Sequence, residues 1–426
     1  MSSSSPSSVP NRWAIAIAAF LLQLALGSVY AWSVFLPHVI DLYHVSKVSA
    51  NATFSITLVA LGVTAGFGGF LQSRFGPRVI ASAGGLLYGL GLILAGVTTN
   101  ASSTPNLFVL YLTYGVIGGI GIGLGYIVPL AMLIKWFPDR RGFITGLAVA
   151  GFGLGALFTA QIASPLVAPK GIGLGSTLLY MGIVYLVIVV AAAQFFRRAP
   201  EGFAPAGWTP SATLQANRST RDFTLGEALR SPSWYLLWLI LALNVTAGAA
   251  LISVAAPLAH TFTGQSLTTV AIIVSTISIF NGLGRLFWGW VSDFIGRPYT
   301  FLCLFVIQCI VFAILPSINN LGVLLIPAAI IGLCYGGGFG TMPAFAADFF
   351  GAKNSGTIYG VMLTAWSAGG IVGPILIASF GTTKNPDYMT PLYIIAVIML
   401  VSIVLPFVAR VVARRRTTMV QAAAGR

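Results

Sequence analysis

Charge is what this chain lacks most. Only 7% of its 426 residues are Asp, Glu, Lys or Arg, and only eight of those are acidic. A soluble domain carries about a quarter charged residues. Eight acids and 22 Lys/Arg are too few to cover a water-facing surface of this size. A soluble enzyme and a disordered chain are therefore excluded. Cysteine is equally scarce: Cys303, Cys309 and Cys334 all lie in apolar stretches, without CxxC spacing or a thiol–histidine cluster. That excludes a disulfide scaffold and gives no metal-ligand spacing, and the three read as small buried hydrophobes. There is no Walker lysine motif, so ATP hydrolysis is not expected. Glycine repeats such as Gly119-x-Gly121-x-Gly123 read as helix-packing glycines rather than a dinucleotide loop. No cofactor is expected.

What the chain has in abundance is apolar sequence: 57% hydrophobic residues and a mean hydropathy of +0.93. A helix crossing the hydrocarbon core needs about 20 mostly apolar residues. Twelve stretches qualify, at 13–36, 50–72, 78–98, 107–134, 143–166, 175–196, 233–261, 267–291, 298–316, 321–347, 355–380 and 390–410. They lack the apolar–polar alternation of a membrane barrel. The expected fold is an all-α integral membrane protein of twelve transmembrane helices, with the lipid bilayer as its solvent. Residues 197–231 form the one long polar segment and divide the spans six and six. The expected organisation is a disordered N-terminus (1–12), a six-helix bundle (13–196), a linker (197–231), a second six-helix bundle (232–413) and a basic tail (414–426).

The basic residues orient the chain. With the N-terminus inside, 18 of the 22 Lys/Arg fall in cytoplasmic segments and only Lys47, Lys170 and Lys384 fall outside, as the positive-inside tendency requires. Both termini are then cytoplasmic, and the net charge of +14 is a topological signal rather than a nucleic-acid patch. Met1 to Val9 show no basic n-region and no cleavage pattern. With the short loops, this suggests a multi-pass protein of the cell inner membrane, working as a monomer.

The two halves repeat one another. Gly69-x3-Ser73-x2-Gly76 with Arg78 follows span 2, and Gly289-x3-Asp293-x2-Gly296 with Arg297 follows span 8. A second match pairs Gly118, Gly123, Pro129, Gly142, Gly146 and Gly155 with Gly332, Gly337, Pro343, Gly356, Gly360 and Gly369, at one constant offset. Two parallel six-helix repeats are a transporter architecture, with the substrate site between them near the midplane.

These motifs resemble those of the major facilitator superfamily. Within it, Asn11-Arg12-Trp13, Tyr30-x-Trp32-Ser33-Val34-Phe35, Trp136-Phe137-Pro138-Asp139-Arg140-Arg141-Gly142 and Asn281-Gly282-x-Gly284-Arg285-x2-Trp288-Gly289 resemble the oxalate/formate antiporter family and its bacterial monocarboxylate-transporter relatives. The resemblance implies a non-enzymatic carrier that alternates access to a central site.

Arg285 is the foremost candidate on physical grounds. It precedes Asp293 by eight residues, about 12 Å along a helix, which sets it deep in span 8. An Arg near a bilayer centre costs roughly 2.5–3.5 kcal/mol on insertion scales. All eight acids (Asp41, Asp139, Glu201, Asp222, Glu227, Asp293, Asp348, Asp387) fall in loops or at span ends. Either an anionic ligand compensates Arg285, or its side chain snorkels out or bonds backbone carbonyls. One buried cation matches one carboxylate, so the expected partner is a small organic monoanion, with a proton as the coupled ion. The resemblance adds a comparison: oxalate exchangers carry a second buried cation in span 11, where this chain has Met362. That departure favours a monocarboxylate such as L-lactate, pyruvate or acetate over a dicarboxylate. Anion exchange of the oxalate/formate type is the second reading, and a non-transporting receptor is a third.

Asn281 shares a helix face with Arg285 and either orients the guanidinium, contacts substrate or packs helices. Monocarboxylate transporters of eukaryotes place an acid there, so their proton mechanism does not carry over. Tyr126 and Tyr335 stand on glycine-rich faces, open to a cavity or to packing. The resemblance implies that both are substrate neighbours, with Phe339 as an apolar wall. His260, near the outer end of span 7, is either a proton-exchange group, as the resemblance implies, or an interfacial histidine. His38 and His44 are expected around the first external loop. Tyr30 and Trp32 either line the outer vestibule or anchor at the interface. Arg285 is the other proton-coupling candidate, through the substrate it binds. Asp293 and Arg297, with Arg74 and Arg78 in the first repeat, read as gating residues that latch the cytoplasmic side. Ser73 in place of an aspartate weakens that latch in the first half.

Overall fold

A computed structural model describes residues 11–102, 104–200, 203, 205, 222–351, 354–382, 385–409 and 411–412. Residues 1–10 of the expected disordered N-terminus (1–12), most of the linker (206–221) and the basic tail at 414–426 lie outside the described residues, whereas Asn11 caps the first helix and Arg12 belongs to its first turn. Twelve helices among the described residues are long and apolar enough to cross a membrane. We label them α1 (Arg12–Tyr43), α2 (Lys47–Phe75), α3 (Pro77–Asn100), α4 (Leu107–Trp136), α5 (Gly146–Val167), α6 (Leu174–Ala193), α7 (Pro232–Thr263), α8 (Leu267–Ile295), α9 (Arg297–Ser317), α10 (Leu321–Phe350), α11 (Ser355–Ala378) and α12 (Met389–Ala409). The helical turn leading into α5 begins at Arg141.

Most boundaries fall within a few residues of the hydropathy reading, because a span's length is a local property. The first helix is the exception. It runs seven residues past its expected end, through Pro37, and stops where His44 takes φ 52°. The α1 backbone tightens to a 3₁₀ turn over Gly27–Ala31, and His38 sits inside the helix rather than in the loop. The expectation that His38 lies around the first external loop is thereby corrected.

The internal repeat is written into the backbone. Both α2 and α8 stop at a glycine in a conformation that a side chain disfavours, Gly76 at φ 91° and Gly296 at φ 86°. A proline in the first turn then starts the next helix. Only glycine reaches that φ without strain, which is why both loops carry it.

An even number of crossings puts residues 11 and 412 on one face, here the terminal face. Helices α2 and α11 meet across the seam between the halves at several depths. Near the opposite face Lys47 donates to the Phe380 carbonyl (3.0 Å) and Asn51 to the Pro374 carbonyl (2.9 Å). Deeper in, Ser367 donates to the Val59 carbonyl (3.0 Å), and Gly66 lies against Gly360. Helices α5 and α8 do the same through Gln161 with Ser275 (2.8 Å) and Ser278 with the Gly153 carbonyl (2.7 Å). Deep in the seam, a void beside Tyr30, Ser278 and Asn281 measures about 10 Å³, room for about one water, and the cage residues Tyr126, Arg285, Tyr335 and Trp366 are all buried. This conformation is occluded.

At the terminal face, Arg12 grips Asp139 through both guanidinium nitrogens (2.6 and 3.1 Å) and lies over the Phe137 ring. The beginning of α1 is thereby tied to the α4–α5 connection. The Arg12 hydrogen bond holds the Asp139 carboxyl below its usual range.

Candidate anion-binding site

The site begins with how closely α10 approaches α8. A Cβ on Gly336 would fall 2.0 Å from the Asn281 carbonyl oxygen, and one on Gly340 would fall 2.2 Å from that of Arg285. Glycine at these two positions lets the α10 backbone lie directly on α8 at its two polar residues. That contact turns the Arg285 side chain toward the seam, where α1, α4, α5 and α11 deliver aromatic rings.

Arg285 is 1% exposed. Its Nε donates to the Asn281 side-chain oxygen (3.2 Å), and its guanidinium carbon lies 4.9 Å from the Phe339 ring centroid and 5.7 Å from that of Phe152. Among the described residues Nη1 and Nη2 have no hydrogen-bond partner of good geometry, nor do the Asn281 amide nitrogen and the Tyr126 hydroxyl, which lies beside Arg285. Among the described residues, the ion pairs of Asp139, Asp293 and Asp348 go to Arg12, Arg140 or Arg297, at the terminal face. Each cation–π contact is worth about 0.5–2 kcal/mol. Removing a charge from water costs several kcal/mol. The protein groups around Arg285 leave that cost only partly offset.

The cage around those donors draws on both halves. Tyr30 of α1 and Tyr335 of α10 meet hydroxyl to hydroxyl at 3.0 Å. Trp366 of α11 donates its indole N–H to the same Tyr335 hydroxyl (3.2 Å). The Trp366 ring also packs edge-on against Tyr126 and Phe152, with centroids 5.1 and 5.5 Å away, and lies 4.5 Å from Phe339. Thus Arg285, Asn281, Tyr126, Tyr335, Phe339 and Tyr30 come together. Trp32, left between vestibule and interface by sequence, is fully buried and donates to Asn51 (3.2 Å).

Two members of the cage were not anticipated from sequence. Phe152 stands between Gly151 and Gly153, and Trp366 in an Ala365-Trp366-Ser367-Ala368-Gly369-Gly370 run. Both show the pattern that singled out the tyrosines, a large ring among small residues within a span.

His260 does not join them. It is exposed, with Nδ1 2.6 Å from the Gln265 carbonyl oxygen near the opposite face. There it lines a separate cavity of about 300 Å³ with His38, between α1 and α5 of one half and α7 and α8 of the other. The gating candidates lie on the terminal face. Asp293 pairs with Arg297 (2.6 Å), which reaches Asp348 of α10 (3.5 Å). These partners all belong to the second half, so this network braces α8, α9 and α10 and does not cross the seam. In the first half Arg198 takes up the free end of α2, donating to the Ser73 carbonyl (2.7 Å). Arg74 lies over Phe75, and Arg78 is half-buried in the first turn of α3.

Twelve helices in two repeats around one central cage are matched by a family model described as Major Facilitator Superfamily, over residues 15–262 and 237–425. The chain belongs to the major facilitator superfamily. It is a transporter of that family, not an enzyme. An oxalate:formate antiporter of Oxalobacter formigenes is 31% identical over 381 residues, 87% of this chain and 86% of that protein, which places the chain in the oxalate/formate group of the superfamily. An apicoplast pyruvate carrier of Toxoplasma gondii is 24% identical over 478 residues, 90% of this chain and 86% of the relative. Among solved structures, a bacterial homologue of the human lysosomal transporter Spinster, inward-facing and occupied, superposes with a TM-score of 0.72. It covers 95% of this chain and 98% of its own at 15% identity, a likeness of fold alone.

Proposed function

We propose that this superfamily member carries small monocarboxylates across the membrane by alternating access, with Arg285 binding the carboxylate. The observation that carries this reading is the buried guanidinium whose two terminal nitrogens have no hydrogen-bond partner among the described residues. A carboxylate accepts two parallel N–H bonds from such a fork, and Asn281 and Tyr126 add neutral donors beside it. The aromatic walls exclude water and suit a short apolar body. No Lys or Arg occurs in α11, where Met362 is fully buried. One cation therefore faces one carboxylate, in keeping with L-lactate or pyruvate.

Proton symport completes the proposal. No acid is found among the cage residues, so the proton travels with the substrate near Arg285 or is exchanged at His260, whose cavity opens at the seam. By the charge asymmetry of the loops, the terminal face is cytoplasmic and the opposite face is external to an inner membrane. One chain supplies the whole cage, which supports action as a monomer. Similarity to an oxalate:formate antiporter favours anion exchange as the second reading.

Uptake of labelled L-lactate into proteoliposomes, with and without an inward proton gradient, decides between them. Gradient-driven uptake that is lost in Arg285→Ala supports symport through this site. No uptake into empty vesicles, with counterflow when oxalate or formate is loaded inside, establishes exchange. His260→Gln is expected to weaken the response to the gradient and to leave counterflow intact.

A further inference from the structure

Each half of the molecule hangs its cage tyrosine from a buried amide. In the first half Gln23 of α1, fully buried, donates its side-chain nitrogen to the backbone carbonyl of Tyr126 (3.0 Å). In the second half Asn244 of α7, also fully buried, donates to the backbone carbonyl of Tyr335 (3.3 Å). Helices α1 and α7 are each the first of their repeat, and α4 and α10 each the fourth. The same relationship therefore occurs twice. The second arm has a further support: Gln308 of α9 donates to the Asn244 side-chain oxygen (3.0 Å) and to the Leu304 carbonyl (3.2 Å). A Cβ on Gly338 would fall 2.1 Å from the Asn244 amide nitrogen, so glycine there leaves the room that this amide occupies.

Buried amides are costly unless bonded, and the arrangement is not fully satisfied. Among the described residues the side-chain oxygens of Gln23 and Gln308 have no hydrogen-bond partner. A polar group held in an apolar bundle with a donor spent on one particular carbonyl, twice over, points to a role that packing alone does not need.

We propose that Gln23 and Asn244 are positioning residues that set the depth at which Tyr126 and Tyr335 face Arg285. This inference rests on the cage being the anion site. Each amide and its tyrosine belong to the same half, so the bonds persist while the halves rock. They act on affinity rather than on the rate of alternation. Both tyrosines contact Trp366, one through its ring and one through its indole N–H, so Trp366 reports on both without any ligand.

The test uses full-length protein with Gln23→Met and Asn244→Leu, which keep side-chain volume and remove the donor. In L-lactate uptake each is expected to raise KM about three- to tenfold, the size of one hydrogen bond's contribution, with maximal rate unchanged. Trp366 emission, taken as the difference between each variant and its Trp366→Phe counterpart, is expected to shift in ligand-free protein. Unchanged KM with unchanged Trp366 emission overturns the proposal, as does a fall in maximal rate at constant KM. If the wild type carries neither L-lactate, oxalate nor formate, the proposed substrate class fails, and the ligand-free Trp366 signal still decides this inference. If Asn244→Leu does not fold, Gln308→Met, which releases the Asn244 oxygen, is read in the same way.

Discussion

Tyr30 and Tyr335 are 305 residues apart and share a hydrogen bond of 3.0 Å across the seam between the halves. It joins the 3₁₀ segment of α1 to the glycine-rich stretch of α10. Because its partners belong to different halves, this bond must break when the seam opens.

Tyr30→Phe is therefore expected to favour open conformations. A net hydrogen bond is worth about 0.5–1.5 kcal/mol, so the occluded population falls about two- to tenfold. Distances between spin labels on α2 and α11 measure this. An unchanged distribution would show that the bond contributes nothing to closure.

Arg285→Gln is expected to abolish transport and to leave thermal stability equal or higher, because it removes a buried charge that the protein compensates only in part. Arg285→Lys keeps the charge, loses the fork and the ring stacking, and is expected to lose at least tenfold in uptake. A clear drop in melting temperature for Arg285→Gln would mean that the guanidinium is a structural cation.

Asp293→Asn breaks the ion pair that ties α8 to Arg297 of α9 and leaves Arg297 its contact with Asp348 of α10. Turnover is expected to fall while binding stays within about twofold, since the cage lies about two helical turns away along α8. Full transport with an unchanged conformational balance would remove this residue from the gating set.

Asp139 sets a pH dependence. Its folded-state pKa is depressed by Arg12, so the pair's stabilisation is complete above the ordinary carboxyl value of about 3.9 and fades as pH falls through the lower folded value. Its size at neutral pH is at most about 1 kcal/mol, because the pair is partly exposed and screened. The melting-temperature gap between wild type and Arg12→Ala should be present at pH 7 and close on strong acidification. A gap that persists there assigns the loss to the Phe137 contact instead.

The spans, the repeat and the identity of Arg285 could be read from sequence because each rests on a local or additive quantity. Hydropathy over 20 residues locates a helix, a conserved offset of glycines exposes a repeat, and an arginine without an acid in any span is conspicuous at any rotation of the helices. The expected end of span 1 at residue 36 fell short because a helix tolerates a proline such as Pro37 when its neighbours supply the packing, and so His38 moved from the loop into α1. What only the tertiary structure decided is which rings meet the guanidinium. Phe152 and Trp366 enter the cage, His260 lines a separate cavity with His38, and Asp293 turns to its own half. Those outcomes depend on the rotational phase of each helix about its axis. Phase is set by backbone contacts between helices far apart in the chain, such as Gly336 on Asn281 and Gly340 on Arg285, and a composition uniformly apolar on all faces carries little trace of it.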